Sequence, residues 1–158
     1  MDFNFVDFNN YKSDAFKKVF TEYYAFEGIT LKPDTAVFDE ITNSANNGET
    51  KTFALIQNES IVAFIMFQIL KLKTENNFFK HKVLHIEELY VIEEKRNQKI
   101  ATALINKVEQ FAKTQNVGLV LLTARPQVFE FYEKLGYRKN NAYECGNKLQ
   151  CFTKELLL

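Results

Sequence analysis

Leu89-Tyr90-Val91-Ile92-Glu93-Glu94-Lys95-Arg96-Asn97-Gln98-Lys99-Ile100-Ala101-Thr102 is where the sequence changes its period. The stretch from Val83 to Ile92 reads as a strand. From Ile100 onward the apolar residues Ile100, Leu104, Val108 and Phe111 recur at helical spacing, which predicts a helix packing one face on a sheet. Between them lie a short acidic turn and a basic, polar loop. A helix start leaves backbone N–H groups unpaired and carries the positive end of the helix dipole, so the junction is a natural anion site. Arg96 and Lys99 add charge, and the small Ala101 lets a ligand approach. On the residues alone two readings stand: a phosphate cradle, or an ordinary strand–turn–helix crossover with exposed lysines.

Upstream, Phe3–Phe8 alternates loosely and is expected to open the chain as a strand. Ser13 is a candidate N-cap for a helix carrying Phe16, Val19, Phe20, Tyr23 and Phe26 on one face, stopped at Gly28. Lys32-Pro33-Asp34-Thr35 is expected to open a shorter second helix, and residues 43–49 (NSANNGE) to form a loop. Thr52–Gln57, the turn Asn58-Glu59-Ser60 and Ile61–Leu72 read as a hairpin. Lys73–Lys82 reads as a polar, exposed connection. Downstream, Val117–Thr123 is a continuous apolar strand of the kind covered on both faces. A short helix around Val128–Leu135 ends at Gly136, and Gln150–Leu156 closes the sequence as a strand. This order predicts an α/β (α+β) fold: one mixed, mostly antiparallel sheet, a parallel β-α-β crossover, and helices on both faces.

The 158 residues suit a single domain spanning 1–158. The formal net charge is zero, which gives no reason to expect a nucleic-acid partner. Its distribution is uneven: residues 1–50 hold nine acids and four lysines, the remainder eleven acids and sixteen bases. That asymmetry suits either scattered solvated charge or a cationic substrate near the first part and an anionic cosubstrate near the second. The opening residues carry no signal-peptide pattern, and no stretch approaches the length of a membrane span. Two cysteines and two histidines without tight spacing make no metal set. A cytoplasmic chain with free thiols at Cys145 and Cys151 is the simplest expectation. The sixteen phenylalanines fill a core, line an apolar cleft, or do both.

The segment Arg96-Asn97-Gln98-Lys99-Ile100-Ala101 resembles the cofactor-binding motif of the GNAT superfamily of N-acetyltransferases. That motif places Arg or Gln, two residues, Gly, one residue, and Gly or Ala after a strand. Arg96 and Ala101 match, and Lys99 stands where glycine is usual. A second segment, Phe131-Tyr132-Glu133-Lys134-Leu135-Gly136-Tyr137, resembles the late helix of the same family. The asparagine that often follows the intervening strand is replaced by Arg125-Pro126-Gln127. Either motif alone is weak, whereas both in order, with one helix and one strand between them, are specific.

The resemblance implies an acetyl-CoA-dependent N-acetyltransferase. It would move an acetyl group to a primary amine of a small molecule or peptide by direct attack on the thioester, without a metal. Leu89, Tyr90, Val91, Arg96, Asn97, Gln98, Lys99, Ile100, Ala101 and Thr102 would hold acetyl-CoA, with an N–H near Val91 polarising the thioester carbonyl. The stretch Ile86–Val91 has some likeness to the diamine acetyltransferases, which places Glu87 as the base. Glu88, a water chain and His85 are the alternatives. Tyr132 matches the family's tyrosine acid, and Tyr23, Tyr24 and Glu27 fall where the family closes over its acceptor. The partners implied are acetyl-CoA and an amine, with no membrane, and a monomer or homodimer. The rival expectation is a non-catalytic acyl-CoA-binding or protein-interaction domain of the same fold.

Overall fold

The computed structural model describes residues 2–31, 36–73, 80–142 and 149–158. The elements are β1 (Phe5–Asp7), α1 (Asp14–Phe26), α2 (Val37–Asn46), β2 (Lys51–Gln57), β3 (Ser60–Lys73), β4 (Lys80–Val91), α3 (Ile100–Thr114), β5 (Leu119–Ala124), α4 (Phe129–Lys134), β6 (Arg138–Lys139) and β7 (Gln150–Glu155). The seven strands form one sheet in the order β1-β2-β3-β4-β5-β7-β6. β1–β2, β2–β3, β5–β7 and β6–β7 pair antiparallel. β4 and β5 pair parallel, in the register Leu84↔Val120 and His85↔Leu121, with α3 as the crossover that a parallel pair needs. Ile86 and Glu87, next along β4, fall outside that register.

Backbone contacts divide the chain into two compact units. The first comprises Met1–Phe67 and Glu88–Ile105. Its core is aromatic and centres on Phe16, which is 0% exposed. Rings of Phe8, Tyr11, Phe20, Phe38 and Phe64 surround Phe16 with centroids 5.1–6.1 Å away. In this unit most phenylalanine is thus core filler. Tyr11 is buried with its hydroxyl satisfied, since Oη donates to Thr52 Oγ1 at 2.9 Å. Ser13 caps α1 by accepting from Phe16 N–H at 3.2 Å. The helix stops where Gly28 takes φ +83°, a conformation that favours glycine.

The second unit comprises Gln68–Glu87 and Asn106–Leu158. Val83, Leu84, Ile86, Val108, Ala112, Val120, Leu122 and Phe152 are buried in it. A polar cluster lies among them. Glu109 of α3, 7% exposed, accepts from Tyr137 Oη at 3.0 Å and from Lys154 Nζ at 2.8 Å. Gly136 turns the chain after α4 with φ +96°, and a Cβ there would sit 3.2 Å from Lys154 Cε.

Four expectations need correction. α2 runs on through Asn43–Asn46, where a loop was expected; Ala45 packs against the aromatic core, and Gly48, φ +76°, follows the Asn47 cap. Residues 80–82 belong to β4 and not to a connection. β1 is shorter than Phe3–Phe8. Cys151, 3% exposed, is disulfide-bonded and not a free thiol. The opening of the second helix at residues 32–35, the expected connection over residues 74–79 and Cys145 lie outside the described residues.

Phe16→Ala should cost about 3–5 kcal/mol of unfolding free energy, because it empties a fully enclosed site. Urea denaturation followed by circular dichroism checks this, and a loss below about 1 kcal/mol would contradict the packing.

Candidate functional site

In the first unit, the peptide group joining Val91 to Ile92 is held at both ends. Ile92 N–H donates to Val62 O at 3.0 Å, and Arg96 Nε donates to Val91 O at 2.9 Å. A single 3-10 turn, Glu93–Lys95, follows the strand. Asn97 and Lys99 then take φ +63° and +65°. The first helical bond of α3 runs from Ala103 N–H to Lys99 O at 3.1 Å, so the amides of Ile100, Ala101 and Thr102 precede the helical ladder. Left-handed residues beside ordinary ones gather N–H groups into an anion-binding concavity, and the helix dipole adds to it. The unusual residue of the motif is thereby explained: Lys99 occupies a left-handed position, where glycine is the usual choice.

The Arg96 guanidinium lies 4.6 Å from the Phe26 ring centroid and 5.6 Å from that of Tyr90. It therefore secures the loop to the strand end and to the last residue of α1. Tyr23 and Tyr24 are half-buried on α1. Their ring centroids are 5.7 Å apart, and Tyr23 lies 5.4 Å from Tyr90. Tyr23 Oη donates to Glu88 Oε2. Burial, and then the Glu88 carboxylate, hold the Tyr23 phenol well above its ordinary range, so it stays a donor. Burial and then Glu88 raise Tyr24 likewise. Glu27 is half-buried at the α1 C-cap.

Glu87 belongs to the second unit. Its side chain is half-buried, and Oε1 is enclosed with no hydrogen-bond partner among the described residues. Burial raises its pKa, and a side-chain hydrogen bond with Gln68 opposes that shift. Adjacent strand residues face opposite sides, and the two acids differ accordingly: Glu88 is engaged by Tyr23, while Glu87 keeps one enclosed oxygen without a partner among the described residues. Burial lowers the pKa of His85, which stays neutral near pH 7. Tyr132, half-buried on α4, packs with ring centroids 5.0 Å from Phe131, 6.0 Å from Tyr137 and 6.3 Å from Phe152.

Sequence reasoning passed over Gln68, although it is the single polar residue in the run Ile61–Leu70. It also passed over Glu109 and Lys154, whose spacing from Tyr137 carries no local signal.

Residues 13–137 match the family model described as the acetyltransferase (GNAT) family. No curated protein matches the chain. Among solved structures, Arabidopsis thaliana NAA60 in complex with acetyl-CoA is 16% identical with a TM-score of 0.72, over 96% of this chain and 97% of that one. A GNAT-family acetyltransferase from Staphylococcus aureus Mu50 is 20% identical with a TM-score of 0.70, over 98% and 99%. An aminoglycoside 6'-N-acetyltransferase complexed with coenzyme A is 16% identical with a TM-score of 0.70, over 98% of each chain. At these identities the likeness is one of fold.

Lys99→Gly should stabilise the protein. Relief of about 1–2 kcal/mol of left-handed strain offsets the roughly 0.5–1 kcal/mol cost of glycine's extra freedom, a net gain of up to about 1.5 kcal/mol. A thermal melt that falls would show that the Lys99 side chain contributes more than its backbone strain costs.

Proposed function

The chain belongs to the GNAT acetyltransferase family, and from that premise we propose that it moves an acetyl group from acetyl-CoA to a primary amine of a small molecule or peptide, by direct attack of the amine on the thioester. The observation that carries this reading is the loop ahead of α3, with its left-handed Asn97 and Lys99 and the amides that precede the helical ladder. A pyrophosphate fits such a cradle, and Ala101 adds no bulk to it. We read residues 1–158 as one acetyltransferase domain, since the family match over residues 13–137 draws on both compact units.

When bound, acetyl-CoA supplies the acetyl group in activated form, as a thioester. The amides from Gln98 to Thr102 hold its phosphates, and Leu89, Tyr90 and Val91 flank its arm. In this reading the Val91 N–H stabilises charge on the carbonyl oxygen; the neighbouring Ile92 N–H is already committed to Val62.

The acceptor amine must lose a proton, because an amine of pKa about 10.4 is largely protonated near neutrality. Glu87 is the base in this reading. In this reading the proton reaches Glu87 through water. Its raised pKa and unpartnered Oε1 suit a group that must take up a proton. Tyr132 donates a hydrogen bond to the departing sulfur; a phenol of pKa about 10 facing a thiol of about 8.5 has no need to give up its proton fully. Tyr23, Tyr24 and Glu27 border the amine. The non-catalytic reading loses ground on the first of these observations, since Lys99 keeps the backbone the cradle needs.

Titration calorimetry should give saturable binding of acetyl-CoA and CoA, and no heat at high micromolar ligand would overturn the proposal. Glu87→Gln should lower turnover about 100-fold or more and remove the acid limb of the pH–rate profile, since the base works deprotonated. That limb should lie above the ordinary carboxylate range in the wild type. The sign for stability is opposite. A carboxyl whose pKa rises on folding contributes fully below its unfolded pKa, and its contribution is lost as pH rises through the folded value. Glu87→Gln should thus melt higher than wild type at pH 7 while turning over more slowly. Tyr132→Phe should lower turnover roughly tenfold with acetyl-CoA affinity unchanged, and an unaltered rate would remove Tyr132 from the mechanism.

A further inference from the structure

α4 has six residues, too few to hold its own shape in water. What fixes its end is a chain of directed bonds. Tyr132 O accepts Leu135 N–H at 3.0 Å and Tyr137 N–H at 3.1 Å. Gly136, at φ +96°, turns the backbone so that the Tyr137 ring returns edge-on to Tyr132, at 6.0 Å and 74°. Tyr137 is fully enclosed. Its hydroxyl has one partner in Glu109 Oε2 at 3.0 Å, and Glu109 Oε1 takes Lys154 Nζ at 2.8 Å. Each carboxylate oxygen thus meets one donor, and three elements are tied together: α3, the turn after α4, and β7.

A half-buried ion pair is a costly way to gain stability, since well-packed apolar residues of similar volume commonly do as well or better. What the pair supplies that apolar packing cannot is direction. We propose that Glu109, Tyr137 and Lys154 form a positioning network that sets the Tyr132 side chain for hydrogen-bond donation. This rests on the role given to Tyr132 above. The network touches no substrate; it acts through the Tyr132 carbonyl and ring. A donor that must meet a developing charge tolerates only about 0.5 Å of misplacement, and a six-residue helix does not provide that by itself.

A double-mutant cycle on the full chain tests the proposal. Acetyl-CoA turnover is read by CoA thiol release with spermidine, an aminoglycoside and a short lysine peptide as acceptors. Tyr137→Phe keeps the ring against Tyr132 and removes only the tether. It should lower kcat roughly tenfold while KM for acetyl-CoA stays within about twofold. In the Tyr132→Phe background it should cost nothing further, because the effect runs through the missing hydroxyl. Glu109→Gln, which keeps an acceptor for Tyr137 but not the charge facing Lys154, should give a smaller loss of the same kind. 3-Fluorotyrosine placed at position 132 should show one narrow fluorine resonance in the wild type and a shifted or broadened one in Tyr137→Phe. An equal loss of kcat in both backgrounds, or an unchanged fluorine line, overturns the inference while leaving Tyr132 catalytic. If Tyr132→Phe alone leaves kcat intact, the role assigned to Tyr132 falls and the inference falls with it.

Discussion

The peptide group between Val91 and Ile92 is the fixed point of the first unit. Its N–H is bound to Val62 and its carbonyl to Arg96, so it can neither flip nor slide. Everything downstream hangs from it: the 3-10 turn, the left-handed Asn97 and Lys99, and the start of α3. Arg96 extends the same constraint to α1, by lying over Phe26 and Tyr90. The side chain that the motif supplies as a cation thus also acts as a strut. A cation over desolvated ring faces is worth about 2 kcal/mol and less where exposed. Phe26 is 65% exposed, so the carbonyl bond matters more than the stacking on that ring.

The two acids at positions 87 and 88 show how a strand assigns roles. Parity alone sends neighbouring side chains to opposite faces. On one face Glu88 meets Tyr23, and two polar groups that burial would penalise satisfy each other. On the other, Glu87 has Gln68 at its side and one enclosed oxygen without a partner among the described residues. A buried acceptor with no partner among the described residues costs folding free energy.

Local order was legible in the sequence, and long-range pairing was not. The N-cap at Ser13, the stop at Gly28, the hairpin around Asn58-Glu59 and the onset of α3 at Ile100 all rest on spacing and turn chemistry within a few residues. The insertion of β7 between β5 and β6 depends on contacts across the sheet that no local pattern encodes. For the same reason Glu109 and Lys154, 45 residues apart, gave no sign of meeting. The free-thiol expectation for Cys151 failed because pairing is a matter of proximity in space, and spacing in the sequence does not report it. Of the candidate site, the loop was readable as a motif. The difference between Glu87 and Glu88 was not, because it arises from partners on α1 and β3.

Lys99 bears on how such loops are written down. A pattern spelled in side chains asks for glycine at that place and counts lysine as a mismatch. A pattern spelled in torsion angles asks only for φ near +65°, and Lys99 satisfies it. Glycine is the cheapest way to meet the angle and not the only one. For loops of this kind the backbone path is the better alphabet, and a departure in letters need not be a departure in shape.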